Sequence, residues 1–498
     1  MSAGRTIAVI DVGSNSVRLL VARELTPSAF EVIEEERFDA RIGQGQAGGD
    51  ITPAGMERGL RAVRIMYQLA ESFSPAAIVM VGTEALRRAP NAADFVVRAR
   101  AATGGLVRIL SAQEEAFAGF LGVINSTSLR DGYLLDIGGG SLELMRVEQR
   151  ALVQTQSGPF GAIYATERFF RTDPPATKEV RALRKAVRQY FKASEKSEVL
   201  HGAGGAVRNL ARLARMRRNY PLRRLHGFVI PRREVRRLTA ALLKPGAEAR
   251  RRMPGMNPAR ADILPAAAVV IDELMEMTGA TALSVSGQGL REGVLWQELR
   301  GAGAVLPDVR EASIAGLARA NGVDELAAEP VVITAAQLFE ASKPLHGLRN
   351  ADLDLLLAAA RLAGIGMHVD YYSRDRHAQY LVHSGDLHGF DHREIVLVAA
   401  LVRWAASGAP DLSPYRAIVG PEDSRRAAAL ASLLGCARAI RRRVPSPVLG
   451  VQAEVAEDAF RIRLSSRAAL DAEVYDLERQ QKRFEAVFKV PLEIETAP

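Results

Sequence analysis

The chain has 498 residues, too many for one hydrophobic core, so three or four domains are expected. Apolar residues at 48 % and charged residues at 25 % exclude a disordered chain. No apolar run approaches the roughly 18 residues of a membrane span and no signal-peptide core is present, so the expected location is the cytoplasm, with no integral membrane contact.

The formal charge of +9 is gathered rather than spread, with arginines dense from Arg215 to Arg252. Such a stretch suits a polyanion, or is simply a solvated basic face. The single cysteine, Cys436, forbids an internal disulfide and sits in the apolar segment "LLGCARAI", where it reads as a buried thiol.

In chain order, Thr6 to Asp11 is a short apolar run closed by Asp-x-Gly, and Ser16 to Glu24 and Phe30 to Asp39 extend it as a meander. Apolar spacing at Met56, Leu60, Val63, Met66 and Leu69 predicts a helix from Pro53 to Phe73. A strand (Ile78 to Gly82), a helix (Ala92 to Thr103), a strand (Val107 to Leu110) and a helix (Gln113 to Ile124) complete an α/β unit. From Gly132 the plan restarts: strand to Asp136, glycine turn, strands Ser141 to Val147 and Ala151 to Gln156, helices, strand Glu198 to His201, glycine turn and helix. Strand Ala282 to Ser286 and the turn "SGQGL" lead into a last helix, Arg291 to Leu299. The fold class is therefore α/β, with two duplicated lobes over 1–126 and 127–300 facing each other across a cleft.

"RGAGAVLPDVRE" (Arg300 to Glu311) reads as a linker. Beyond it, 301–445 is helical in pattern, notably Glu325 to Leu345, Asp352 to Leu362 and Asp391 to Ala406. The segment 446–498 is a small α+β piece with strand-like "AFRIRLS" and "VPLEIE" and a charged helix from Ala468 to Phe488.

Chemistry concentrates in the duplicated turns, "AVIDVGSNSVRLLV" from Ala8 and "LLDIGGGSLELMRV" from Leu134, whose aspartates Asp11 and Asp136 stand 125 residues apart. Glycines at a strand end aim backbone N–H groups outward as a concavity for phosphate oxygens, and the aspartate adds a metal handle. Facing each other, the two turns would clamp one phosphoryl group. Glu143 follows Asp136 by seven residues with the parity of Ser141, so it either completes a metal site or is a solvated strand carboxylate. Glu114 and Glu115 open a helix beside the second turn, as first-turn charges or as the group that directs water. In "VGTEALRRAPNAADF", Thr83 and Arg87 follow a strand end; Arg87 is a phosphate ligand or a surface ion pair. Gly204 and Gly205 in "LHGAGGAVRNLA" permit close backbone approach at a helix N-terminus.

Taken together, "IDVGSNSVRLLV", "GTEALRRAPNAADF", "SAQEEAFAGFLGV", "LLDIGGGSLELM", "GAGGAVRNLA" and "LREGVL" resemble, in order and spacing, the exopolyphosphatase / guanosine pentaphosphatase family of the actin-like (ribonuclease H-like) ATPase superfamily. The helical part is similar to the long members, whose third domain resembles a degenerate metal-dependent HD-like phosphohydrolase domain; "HAQYLVHSGDLHGFDHREI" carries that likeness. "AARLAGIGMHV" lacks a His-Asp pair, so His377, His383, His388 and His392 are expected to be structural or substrate-contacting.

By motif position, the resemblance implies Glu115 as general base, Mg2+ on Asp136 and Glu143 with Asp11 beside them, and a monovalent cation as an open second ion. Phosphate would lie on Ser14, Asn15, Thr83, Arg87, Gly138, Gly139, Gly140, Ser141, Gly204 and Gly205. Two departures stand out: Ala162 in "GPFGAIYA" and Gly204 in "GAGGAV" each replace a side chain that other members use. The implied activity is processive removal of the terminal phosphate from inorganic polyphosphate, the chain being held by the basic residues between Arg208 and Arg252 with contributions from the helical domain. Hydrolysis of guanosine pentaphosphate is the nearest alternative, and a non-catalytic sensor of guanosine penta- or tetraphosphate or of phosphate chains is one of another class. The expected assembly is a homodimer, with no nucleic acid partner.

Overall fold

The computed structural model describes residues 4–46, 49–406 and 408–497. The chain forms two compact units, Met1–Val309 and Arg310–Pro498.

The first unit contains two sheets. The first lobe's sheet runs in the order β3-β2-β1-β4-β5, with β1 (Thr6–Val12), β2 (Val17–Thr26) and β3 (Ala29–Phe38) antiparallel and β4 (Ala77–Gly82) and β5 (Val107–Ile109) parallel to β1. The second repeats this plan in the order β10-β11-β9-β6-β7-β8. Here β6 (Gly132–Ile137), β7 (Leu142–Glu148) and β8 (Ala151–Gly158) form the meander, and β9 (Val199–Ala203) and β11 (Ala282–Val285) are parallel to β6. An added antiparallel edge strand, β10 (Val229–Pro231), closes the sheet.

The register makes the duplication residue-exact. Asp11 pairs with Arg18 and Asp136 with Glu143, so the same position opposite each aspartate carries a guanidinium in one lobe and a carboxylate in the other. Residues opposite one another in an antiparallel pair share a face, so both partners project on the side of their aspartate.

Helix Ala112–Ile124 ends the first lobe and helix Leu290–Arg300 the second, and the two lie against each other with almost no space between backbones. A Cβ on Gly122 would run into the carbonyl of Gly289, and one on Gly293 into that of Ala118. Helix Leu264–Thr278, apolar nearly all round, is buried through the core of the second lobe.

The second unit is built on buried helices His392–Trp404 and Pro421–Ile440, packed with helices Glu325–Ala341 and Asn350–Leu362. Arg426 bridges Asp352 and Asp423 at 2.5 Å each inside it. A sheet in the order β12-β13-β14 follows: β12 (Gly450–Val455), β13 (Phe460–Ser465) and β14 (Leu492–Ala497), the last two parallel and joined by helix Asp471–Phe488. Sequence reading missed β12 and began that helix three residues early. Cys436 is buried, which pushes its thiol up to about 12. Among the described residues no helix is long and apolar enough to cross a membrane.

Candidate active site

The two glycine turns share one geometry. Gly13 N–H donates to Ser16 O at 3.2 Å, and Gly138 N–H donates to Ser141 O at 3.0 Å. The carbonyls are drawn away from the cleft: Ser14 O and Asn15 O accept from Gly43 and Arg41 at 2.9 Å each. In the second turn Gly138 O, Gly139 O and Gly140 O accept from Ala162, Ile163 and Gly161 at 3.0, 2.7 and 2.9 Å, the start of helix Ala162–Phe169. Ser14, Asn15, Gly139 and Gly140 thus line the cleft with their carbonyls tied back, a glycine-turn arrangement suited to anionic oxygen. The turns touch: a Cβ on Gly139 would stand 3.2 Å from Ser14 Cβ and 3.5 Å from Asn15 N.

Six carboxylates line the same cleft, Asp11, Glu84, Glu115, Asp136, Glu143 and Glu292, of which Asp11, Glu115, Asp136 and Glu143 were singled out from sequence. Burial raises Asp11 to about 6, and the Asp136 charge adds to it, while Arg18 and Arg291 oppose. Burial likewise raises Asp136. Glu143 is 3 % exposed, which removes the solvated-carboxylate reading, and burial followed by the charges of Glu115 and Asp136 pushes it well up. Ser157 Oγ donates to it at 3.0 Å.

The helix start separates Glu114 from Glu115. Ser111 caps the helix through a bond from Glu114 N–H, and Glu114 Oε2 accepts the Ser111 N–H at 2.8 Å, so Glu114 is consumed as a capping box on the surface. Glu115 turns inward and accepts from Arg87 Nη1 at 2.6 Å; the same Nη1 donates to Leu110 O at 2.9 Å. Burial raises Glu115 to about 7 against the pull of Arg87, with Asp11 and Asp136 adding to the rise. Gly119, one turn on and on the same helix face, lets Asp136 approach, since its Cβ would lie 3.0 Å from Asp136 Oδ2.

Asp11 Oδ1 and Asn15 Nδ2 are buried without a hydrogen-bond partner. No three His, Cys, Asp or Glu side chains among the described residues form a preassembled metal cage. Mg2+ is ordinarily held by one or two carboxylates with phosphate oxygens and waters, and mutually repelling acids beside phosphate-ready turns fit that mode of binding.

Four arginines complete the lining: Arg18, Arg208, Arg260 and Arg291. Burial and neighbouring guanidinium charge lower Arg18 and Arg260 to about 9 and also lower Arg208. Arg291 is anchored by Leu19 O at 3.0 Å and by Glu35. Arg260 occupies the space that a side chain on Gly205 would need.

The Ppx/GppA phosphatase family model matches residues 20–301, and the model of Ppx/GppA phosphatase domain III matches residues 309–481. The chain belongs to the Ppx/GppA phosphatase family. A solved family member from Aquifex aeolicus is 27 % identical, covers 59 % of this chain and 97 % of its own, and superposes with a TM-score of 0.53. An exopolyphosphatase from Cytophaga hutchinsonii shares the fold at 22 % identity and a TM-score of 0.56, over 61 % of this chain and all of its own. As a Ppx/GppA phosphatase the chain is a hydrolase with duplicated actin-like lobes.

In this Ppx/GppA phosphatase the residues singled out from sequence, Asp11, Ser14, Asn15, Thr83, Glu115, Asp136, Gly138, Gly139, Gly140, Ser141, Glu143, Gly204 and Gly205, line one cleft, with Arg87 at its edge through Glu115. Gly204 has φ +94° and its Cβ would meet Ile137 O, so glycine there is dictated by the backbone. Ala162 serves through its N–H to Gly138 O.

The expected polyanion track from Arg208 to Arg252 is narrowed. Arg208 faces the cleft, but Arg250 is 1 % exposed and bonds Ala261 O, Leu242 O and Pro245 O. Arg217 and Arg237 pair with Glu234, Arg232 and Arg236 with Glu276, and Arg251 and Arg252 with Glu248. Three glutamates set against six arginines offset part of the positive charge there. Of the cleft arginines that sequence reading passed over, Arg18 was findable as the repeat counterpart of Glu143. Arg291 lies in the "LREGVL" motif, and Arg260, brought in by the short 3-10 helix Pro258–Arg260, has no sequence signal.

Proposed function

We propose that this Ppx/GppA phosphatase is a Mg2+-dependent exopolyphosphatase that removes the terminal phosphate of inorganic polyphosphate. The observation that carries the reading is the cleft lining, in which phosphate-ready turns and six acids adjoin Arg18, Arg208, Arg260 and Arg291, while Ile137 and Leu290 are the apolar side chains among the described residues there. Such a lining suits a run of phosphates better than a nucleoside.

The terminal phosphoryl group lies between the N–H rows of the two turns, with Thr83, Ser141 and Arg87 on its oxygens. Asp136, Glu143 and Asp11 would hold Mg2+, which supplies charge neutralisation for the phosphate oxygens. Glu115, oriented by Arg87, holds a water and accepts its proton as the water oxygen bonds to phosphorus. The bridging P–O bond breaks, orthophosphate forms and the shortened chain keeps the electron pair. Positioning dominates because the transition state is loose. The arginines retain the shortened chain, so successive cycles are processive.

Phosphate release from long polyphosphate and from guanosine pentaphosphate, measured side by side with Mg2+, tests this. The expected result is a higher kcat/KM on polyphosphate with no ladder of intermediate lengths. Faster turnover of guanosine pentaphosphate would transfer the reading to that substrate, and failure on both would favour a sensor module.

A further inference from the structure

"GTEALRR" contributes Thr83 and Arg87 to the reaction described above, and two further charged side chains, Glu84, which also lines the cleft, and Arg88, have no part in it yet. Glu84 begins the short helix Glu84–Arg88 and is 8 % exposed, unusual burial for a glutamate. Its carboxylate crosses to the second lobe and rests on Gly140, where any Cβ would run into it. From the other side Arg88 Nη1 donates to Glu84 Oε1 at 3.0 Å, and the Arg88 guanidinium carbon stands 5.6 Å from the ring centre of Tyr164. Tyr164 belongs to the helix whose N-terminus ties back the carbonyls of Gly138, Gly139 and Gly140.

We propose that Glu84, Arg88 and Tyr164 form a clasp between the lobes that sets the spacing of the two phosphate turns, making Glu84 and Arg88 positioning residues for the reaction. The chain of contact runs from the second-lobe turn through Gly140 to Glu84 and Arg88 of the first lobe, then returns to the second lobe at Tyr164. It closes a loop around the turn. Beside it, Glu167 of the Tyr164 helix and Gln46 of the loop next to the first turn line the same small pocket, and Gln46 Nε2 donates to Ala85 O at 2.9 Å. Ser14, Glu84 and Gly140 are common walls of the catalytic cleft and of the small pocket holding Arg88 and Tyr164, so movement in one is felt in the other. The clasp rests on the reading that a phosphoryl group lies between the turns, but its mechanical part does not depend on substrate identity.

The test is hydrogen exchange of the 13–16 and 138–141 backbone amides in the substrate-free full chain, together with polyphosphate kinetics. Arg88→Met and Tyr164→Leu are each expected to speed exchange in both turns roughly two- to fivefold, the range of a partly exposed cation–π contact. Tyr164→Phe, which keeps the ring, is expected to match the natural protein, and the double variant to exchange no faster than the singles. KM for polyphosphate should rise by no more than that factor while kcat holds, because only the competent population changes. Natural exchange rates and KM in both single variants would overturn the clasp, as would a Tyr164→Phe variant as loose as Tyr164→Leu or fully multiplicative effects in the double. If the protein does not hydrolyse polyphosphate, the exchange arm still decides the clasp. Unaltered exchange in an active enzyme removes the clasp and leaves the exopolyphosphatase reading standing.

Discussion

Glu114 and Glu115 are neighbours in sequence and serve different ends: one closes a capping box in solvent, the other is held by Arg87 among five further acids. A base raised to about 7 is half ionised near neutrality, so the ionised, proton-accepting form grows as pH rises. The pH profile of kcat/KM should therefore climb to a plateau, with its acid limb at or just below pH 7 because bound Mg2+ also favours the ionised form. Arg87 pulls Glu115 downward, so Arg87→Met should move that limb to higher pH as well as lower the rate; a limb that stays put would show that Arg87 does not act on Glu115. For Arg18, the guanidinium opposite Asp11, Arg18→Gln should raise KM for long polyphosphate about ten- to a hundredfold, the range for losing a charge-assisted hydrogen bond. Steady-state kinetics at fixed salt decides it.

At the scale of elements, the strands and glycine turns were legible because short apolar runs ending in Asp-x-Gly recur 125 residues apart. Helix Leu264–Thr278 was less so, being apolar on nearly every side and without a distinguishing face. Helix Glu84–Arg88 is too short to carry a periodicity. The cleft arginines depend on tertiary approach, above all Arg260, whose guanidinium reaches a glycine 55 positions earlier in the chain, Gly205. Charge density in the arginine-rich helices overstates the free charge, because folding sets Glu234, Glu248 and Glu276 beside part of it. Glycine packing makes two predictions. Gly161→Ala, whose Cβ would lie 2.5 Å from the carbonyl carbons of Gly139 and Gly140, should displace the second turn and lower kcat/KM at least a hundredfold in a folded protein, checked by kinetics beside circular dichroism. Gly293→Ala, pressed on Ala118 O, should cost about 1–3 kcal/mol as overpacking, read from the urea midpoint.

At the scale of the molecule, the acids of the cleft link metal binding to stability. Asp11 and Glu115 rise from ordinary carboxylate values to about 6 and about 7, so their protonated forms favour the fold. That contribution is present below about pH 4, where both remain protonated even when unfolded, and is lost as pH rises through 6 and 7. Mg2+ should therefore raise Tm more at pH 8 than at pH 5, a comparison made by calorimetry on the full chain; equal shifts at both pH values would place the ion elsewhere. The most direct test of the whole account is phosphate release from long polyphosphate with Mg2+ by the natural protein and by Glu115→Gln. Loss of about 10²–10⁴-fold in kcat with KM little changed is the predicted result. A Glu115→Gln variant that releases phosphate at the natural rate would contradict the assignment of the base and with it the clamp around the terminal phosphate.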